Sequence, residues 1–343
     1  MHHSVDLGTA RDMVILAMRA KLVPFLHGSP AIGKSAIVKQ IAADHNLELI
    51  DIRLSQCDPT DLNGFPSPDK EHGKSTYLPM DMFPLDKDPL PKGKDGWLIF
   101  LDELNAADRA TTKASYKLLL DHMVGMARLH PRACLVAAGN LATDNALIED
   151  DSTAMQSRMV HIEVHTDTDQ FIPFAQKAGF DYRITSFLQF RPDLLYTFKP
   201  DHTDYTYGSP RTWEFTDRLL KIDPQMSRST QLLLGGTLSQ GVAREFIVFC
   251  EIEKTLTSFE SIMTNPTFAK VPSEPGTLYA LTGMLAAKLA KGLDKLPAAM
   301  KYISRLPAEF QVCCLRDLIR REPIVVASPE ISTWIRENGT ELF

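Results

Sequence analysis

Residues Gly28-Ser29-Pro30-Ala31-Ile32-Gly33-Lys34-Ser35 satisfy the spacing G-x-x-x-x-G-K-[ST] at every fixed position. A loop of this kind turns its backbone N–H groups inward. A helix starting behind it adds the positive end of its dipole, so the two form a cradle for phosphate groups. Lys34 would reach the β- and γ-phosphates of a nucleotide, and the Ser35 hydroxyl would ligate Mg²⁺. The competing reading is a chance glycine-rich turn, which needs neither a strand before it nor a helix after it. Both are present here: residues 22–26 are a short apolar run, and residues 34–43 have helical periodicity.

Leu98-Ile99-Phe100-Leu101-Asp102-Glu103 is an apolar strand that ends in two acids. Carboxylates at the end of a buried strand are costly unless they meet a cation or water. In phosphoryl transfer the first acid, Asp102, would hold the Mg²⁺ shell, and the second, Glu103, would polarise an attacking water. Without the phosphate loop the pair would read equally well as solvated acids at an ordinary strand end. Asn140 follows another buried run, Ala137-Ala138-Gly139-Asn140, and a neutral amide there could orient the water against the γ-phosphate. Gly-Asn is also a common turn pair, so this reading leans on the earlier motifs.

Strands must carry these groups to one edge. Residues 22–26, 47–54, 97–101, 133–138 and 159–164 read as strands, and helical segments alternate with them. Several of these runs are apolar throughout, the mark of strands covered on both faces. The pattern predicts an α/β fold with a doubly wound parallel sheet. Past residue 167 the strand signal fades and only helices follow, which divides the chain at 166/167, with a softer change at Asp223-Pro224. Residues 64–96 are rich in Pro, Asp, Lys and Gly and are expected to hold little structure. Their Tyr77, Met80, Met82 and Phe83 read as a contact surface for a partner or client.

The chain has 343 residues, enough for about two domains of ~150 residues. Hydrophobic residues at 44% and charged residues at 23% exclude a disordered or fibrous chain. No run is long and apolar enough for a membrane span, and no secretory signal is visible at the N-terminus. Five unpatterned cysteines fit a reduced, cytoplasmic protein. The net charge of −6 argues mildly against a nucleic-acid binder. His161, Glu163 and His165 alternate on one strand face, where a metal could sit, but a polar strand face is the simpler reading.

The succession of phosphate loop, Leu-Asp-Glu and Ala-Gly-Asn resembles the AAA+ ATPases, and within them the MoxR-like, dynein-related branch. Asp58-Pro59-Thr60-Asp61-Leu62-Asn63-Gly64 is similar to that branch's stretch after the second strand. Ala154-Met155-Gln156-Ser157-Arg158-Met159 resembles its arginine-finger segment, and Ser209-Pro210-Arg211-Thr212-Trp213-Glu214-Phe215 its second-sensor helix. The resemblance covers residues 5–222. It implies an AAA+ α/β nucleotide-binding domain over 1–166 and a helical lid over 167–222, which leaves 223–343 as an additional helical C-terminal region. It also implies that Arg158 acts on ATP bound to a neighbouring subunit and that Arg211 contacts phosphate in its own subunit.

The expected activity is therefore Mg²⁺-dependent ATP hydrolysis by a homo-oligomeric ring, hexameric by resemblance, coupled to chaperone-like remodelling of a protein client. A separate protein with a von Willebrand factor A domain is the partner that the resemblance implies. The rivals are a nucleic-acid motor or loader and an ATP-gated binding switch that scarcely hydrolyses. Arg316, Arg320 and Arg321 are basic, but Asp317 and Glu322 interleave with them. The intact set Lys34, Asp102, Glu103 and Asn140 weighs against the switch.

Overall fold

The computed structural model describes residues 4–144 and 153–338. They divide into two compact units, the first running to Thr166 with Lys199–Asp201 added, the second holding Asp167–Phe198 and His202 onward.

The first unit begins with α1 (Leu7–Arg19), whose first turn is capped by Asp6, accepting from Gly8 N at 2.8 Å and Thr9 N at 3.0 Å. Then follow β1 (Val23–His27), α2 (Lys34–Asp44), β2 (Leu47–Arg53), α3 (Pro59–Asn63), β3 (Phe65–Asp69), β4 (Lys74–Leu78), β5 (Gly96–Asp102) and α4 (Arg109–Asp121). The two-residue strands β6 (Met123–Val124) and β7 (Ala127–Arg128) pair with each other, and β8 (Ala133–Gly139), α5 (Thr153–Gln156) and β9 (Met159–Glu163) complete the unit. Five strands make one parallel sheet in the order β2-β5-β8-β1-β9. Phe25, Ile99, Leu101, Leu135 and Ala137 pack on one face with Leu118 and Leu119 of α4. Their alternating neighbours Leu26, Leu98, Phe100, Val136 and Ala138 are equally buried and point to the other face, where α1 and α2 lie. The middle of the sheet is thus covered on both sides, which is why β1, β5 and β8 are mostly apolar while the edge strands β2 and β9 carry charged residues.

The stretch 64–96 departs from expectation. It carries the antiparallel hairpin β3–β4, with Phe65 opposite Leu78, and Phe65, Tyr77 and Leu78 stand exposed on it. Phe83 is buried in the sheet's core and is no contact surface, and Met80 and Met82 pack partly against that core. Two prolines in β3 hid the hairpin from a periodicity reading, since proline is tolerated only where the strand's N–H has no ladder partner. His161 is engaged by His27 Nε2 at 2.8 Å on one ring nitrogen and by the Gln156 carbonyl at 3.1 Å on the other. His165 Nδ1 meets Ser4 Oγ at 2.8 Å. No group of three or more His, Cys, Asp or Glu side chains that could hold a metal ion occurs among the described residues.

The second unit is helical: α6 (Thr168–Lys177), α7 (Tyr182–Phe190), α8 (Pro210–Ile222), α9 (Arg228–Leu238), α10 (Gln240–Lys254), α11 (Phe259–Thr264), α12 (Pro275–Leu289), α13 (Leu296–Ile303), α14 (Ala308–Arg321) and α15 (Pro329–Asn338). One core centres on Phe187, Trp213 and Phe246 and draws residues from both sides of Asp223; a second gathers Leu285, Tyr302, Leu315 and Trp334. On α14 two of the three arginines turn inward, while Arg316 is exposed. Arg321 Nε donates to Asp317 Oδ1 at 2.6 Å and its NH2 group to Thr185 Oγ1 at 3.1 Å, while Arg320 donates to Gln176 Oε1 at 3.2 Å. Cys314 is fully buried on the same helix. No described helix is long and apolar enough to cross a membrane.

Candidate active site

Parallel strands deliver their C-terminal ends to one edge, and this sheet's register makes that edge chemical. His27 is paired with Gly139 and Leu101 with Ala137, so the loop after β1, the acids ending β5 and Asn140 after β8 emerge side by side. Gly28 N donates to Gly139 O at 3.3 Å, tying the start of the loop to β8. A Cβ at Gly28 would lie 2.5 Å from Ile32 Cδ1 and 2.8 Å from Val164 O, so only glycine fits there. Gly33 enters α2 with φ 113°, a left-handed turn, and caps the helix without a side-chain hydrogen bond. A helix end of this type offers backbone N–H groups to an anion.

Lys34 is only 7% exposed although it is a lysine. Its Nζ donates to Gly28 O, to Ser29 O at 3.0 Å and to Asn140 Oδ1 at 3.2 Å, so the ammonium is held over the loop's own carbonyls. Ser35 Oγ donates to Asp102 Oδ2 at 2.8 Å, and Asp102 Oδ1 accepts the Glu103 N–H at 2.9 Å. A hydroxyl and a carboxylate oxygen at that separation, with a second acid next in sequence, form an all-oxygen donor set of the kind Mg²⁺ prefers. The residues present therefore fit a Mg²⁺-nucleotide.

Glu103 has φ 59° and ψ 35°, a left-handed conformation that costs a non-glycine residue roughly 1 kcal/mol or more. Its carboxylate accepts from Ser55 Oγ. Ser55 lies just past β2, and β2 is registered so that Arg53 pairs with Asp102. Sequence reasoning missed Ser55 because nothing in residues 54–56 signals that β2 neighbours β5.

Asn105 was missed as well. It is buried, accepts the Asn140 N–H on Oδ1 at 3.1 Å, and donates from Nδ2 to Asn140 O at 2.8 Å. A Cβ at Gly139 would lie 2.3 Å from Asn105 Oδ1, so the glycine makes room for this clamp. The only signal in the sequence was an amide two residues after the acid pair.

Arg158 stands apart from this edge. It precedes β9, whose first residue Met159 is registered with Val23 and whose last, Glu163, is registered with His27. The loop 28–35 begins after His27, so about five residues of strand, roughly 16 Å at ~3.3 Å per residue, separate it from Arg158. Arg158 is exposed there and lines a cavity of about 410 Å³ with Lys21, Leu22, Leu119, His122 and Ser157. Burial holds the His122 imidazole below its ordinary pKa. Arg211 belongs to the second unit, exposed at the second position of α8 within the Ser209–Thr212 capping box. The structure thus gathers Lys34, Ser35, Asp102, Glu103 and Asn140, sets Arg158 at the sheet's far end, and carries Arg211 on the helical unit.

No family model matches the chain, and no curated protein does. Among solved structures, the chain is similar to the crystal structure of a candidate ATPase from Cytophaga hutchinsonii. The two share 13% identity over 97% of this chain and 89% of the other, with a TM-score of 0.36.

Proposed function

We propose that this chain binds ATP in the loop 28–35 and hydrolyses it, as an AAA+ ATPase of the MoxR-like branch. One observation carries the reading: Lys34, Ser35, Asp102 and Asn140 converge at one strand edge through hydrogen bonds of 2.8 to 3.2 Å. In this reading the N–H groups of the loop and the start of α2 hold the phosphates, and Lys34 exchanges its carbonyl and amide partners for phosphate oxygens. Ser35 and Asp102 would hold Mg²⁺, which supplies charge neutralisation on the phosphates. Glu103 polarises the attacking water, and Asn140, fixed by Asn105, orients it against the γ-phosphate.

The distance between Arg158 and its own phosphate loop supports action in trans, on ATP of a neighbouring copy in a ring, for which a hexamer is the expected size. Arg211 would act from the helical unit as a lid residue over 167–222, with 223–343 extending that unit. Coupling to a protein client, a von Willebrand factor A domain partner and a cytoplasmic setting complete the reading. Arg320 and Arg321 turn inward and leave Arg316 as the exposed arginine of α14, which disfavours a nucleic-acid motor on that surface. The Ser55–Glu103 hydrogen bond favours one feature of the slow switch: a catalytic carboxylate restrained at rest. Phosphate-release assays with and without single- and double-stranded nucleic acid test the assignment. ATP turnover indifferent to nucleic acid is expected; turnover strictly dependent on it would favour the motor.

A further inference from the structure

The phosphate loop carries a contact that none of the roles above uses. Ser29 Oγ donates to Asp144 Oδ1 at 3.1 Å. The other carboxylate oxygen, Oδ2, is buried and has no hydrogen-bond partner among the described residues. Asp144 ends the short 3-10 turn Ala142–Asp144, on the connection that leaves β8 through Asn140. Its carboxylate is therefore docked on the second residue of an anion-binding loop. The Lys34 ammonium lies against the same residue, donating to Ser29 O at 3.0 Å.

A buried acceptor that lacks a donor is costly, and an acid is the costliest group to leave in that condition. Plain capping of the turn does not explain it, since an asparagine or serine would hold Ser29 without placing a carboxylate there. The positive field of the loop does explain it. N–H groups at a helix start, with a lysine beside them, attract the nearest anion, whether phosphate or side chain.

We propose that Asp144 is an internal competitor for the phosphate loop: its carboxylate, docked on Ser29, must give way as the phosphates of a nucleotide enter. Asp144 thereby sets the affinity for nucleoside polyphosphates, and it opposes the more highly charged triphosphate more than the diphosphate. This rests on the loop being a nucleotide site, as proposed above.

The test is calorimetric titration of the full chain with ATP and with ADP at fixed Mg²⁺, in low and high salt. Wild type is compared with Asp144→Ala and with the near-isosteric Asp144→Asn, which keeps the shape of the turn, and thermal melting checks that each variant folds. Both variants should bind ATP about tenfold more tightly than wild type. The gain should be smaller for ADP and should shrink at high salt, as a charge effect must. Unchanged or weakened ATP binding in folded variants, with wild type binding ATP, overturns the competition and leaves the nucleotide site standing. Tightening by Asp144→Ala alone would be steric and would also overturn it. Wild type and both variants all failing to bind ATP would instead remove the nucleotide site itself.

Discussion

Ser55 and Glu103 are joined by a hydrogen bond from the serine hydroxyl to the carboxylate, across the β2–β5 pairing. A carboxylate that accepts from a neighbour is less free to take a proton from water, so the bond restrains the group proposed as base. Ser55→Ala should raise basal ATP turnover by a few-fold, since a hydrogen bond to a charged group is worth ~1.5 to 3 kcal/mol and only part of it bears on the barrier. Glu103→Gln should keep ATP binding and lower turnover by ~10² or more. Steady-state phosphate release measures both. Unaltered turnover in Ser55→Ala would mean the bond exerts no restraint; wild-type turnover in Glu103→Gln would remove Glu103 from the chemistry.

Asn105 holds both backbone groups of Asn140, so Asn105→Ala leaves two partly buried polar groups unpaired at ~1 to 3 kcal/mol each. Thermal unfolding of the variant should start several degrees lower. Its turnover should fall more than its ATP affinity, because in the proposed mechanism Asn140 orients water while the loop holds phosphate. A variant that melts lower but keeps wild-type turnover would reduce Asn105 to a structural role.

Arg158 is separated from its own phosphate loop by the length of β1, and a finger supplied across an interface is worth ~10³ to 10⁵ in rate. Arg158→Ala should bind ATP nearly as wild type and lose turnover steeply. Mixing it with Glu103→Gln should restore part of the activity, because some interfaces then pair an intact Glu103 with an intact Arg158. Mixed rings seen by native mass spectrometry that stay inactive would count against a shared site.

Asp317 is 2% exposed, and desolvation by burial pushes its pKa up to about 6, against the opposing pull of Arg321. A folded pKa above the unfolded one, near 3.8, gives stability that is complete below the unfolded value and lost as pH rises through about 6. Wild type should therefore exceed Asp317→Asn in unfolding free energy by more at pH 4.5 than at pH 7.5. The difference should be on the order of 1 to 3 kcal/mol. Denaturant titrations at the two pH values check the sign; a margin that grows with pH would mean the ion pair to Arg321 outweighs desolvation.

The sheet was legible because β1, β5 and β8 are buried on both faces, which writes unbroken apolar runs such as Trp97 to Leu101 into the sequence. The loop starting at Gly28, Asp102 and Asn140 stand out in the sequence because each sits within two residues of such a run. Ser55, Asn105 and Asp144 were not, because their partners Glu103, Asn140 and Ser29 become neighbours only once parallel crossovers set the strand order. The hairpin at Phe65 was masked by prolines, and Phe83 by the charged, loop-like stretch around it. The Asp317–Arg321 pair shows in the sequence only as interleaved charge, because spacing alone cannot say which helix face turns inward.

The central claim is that the loop 28–35 is a nucleotide site with Lys34 as its side-chain cation. Calorimetry of ATP with Mg²⁺ against wild type and Lys34→Ala tests it most directly. Saturable binding by wild type and a loss of at least tenfold in affinity in a folded Lys34→Ala are the expected result. Equal binding by the two proteins, or none by wild type, would contradict it.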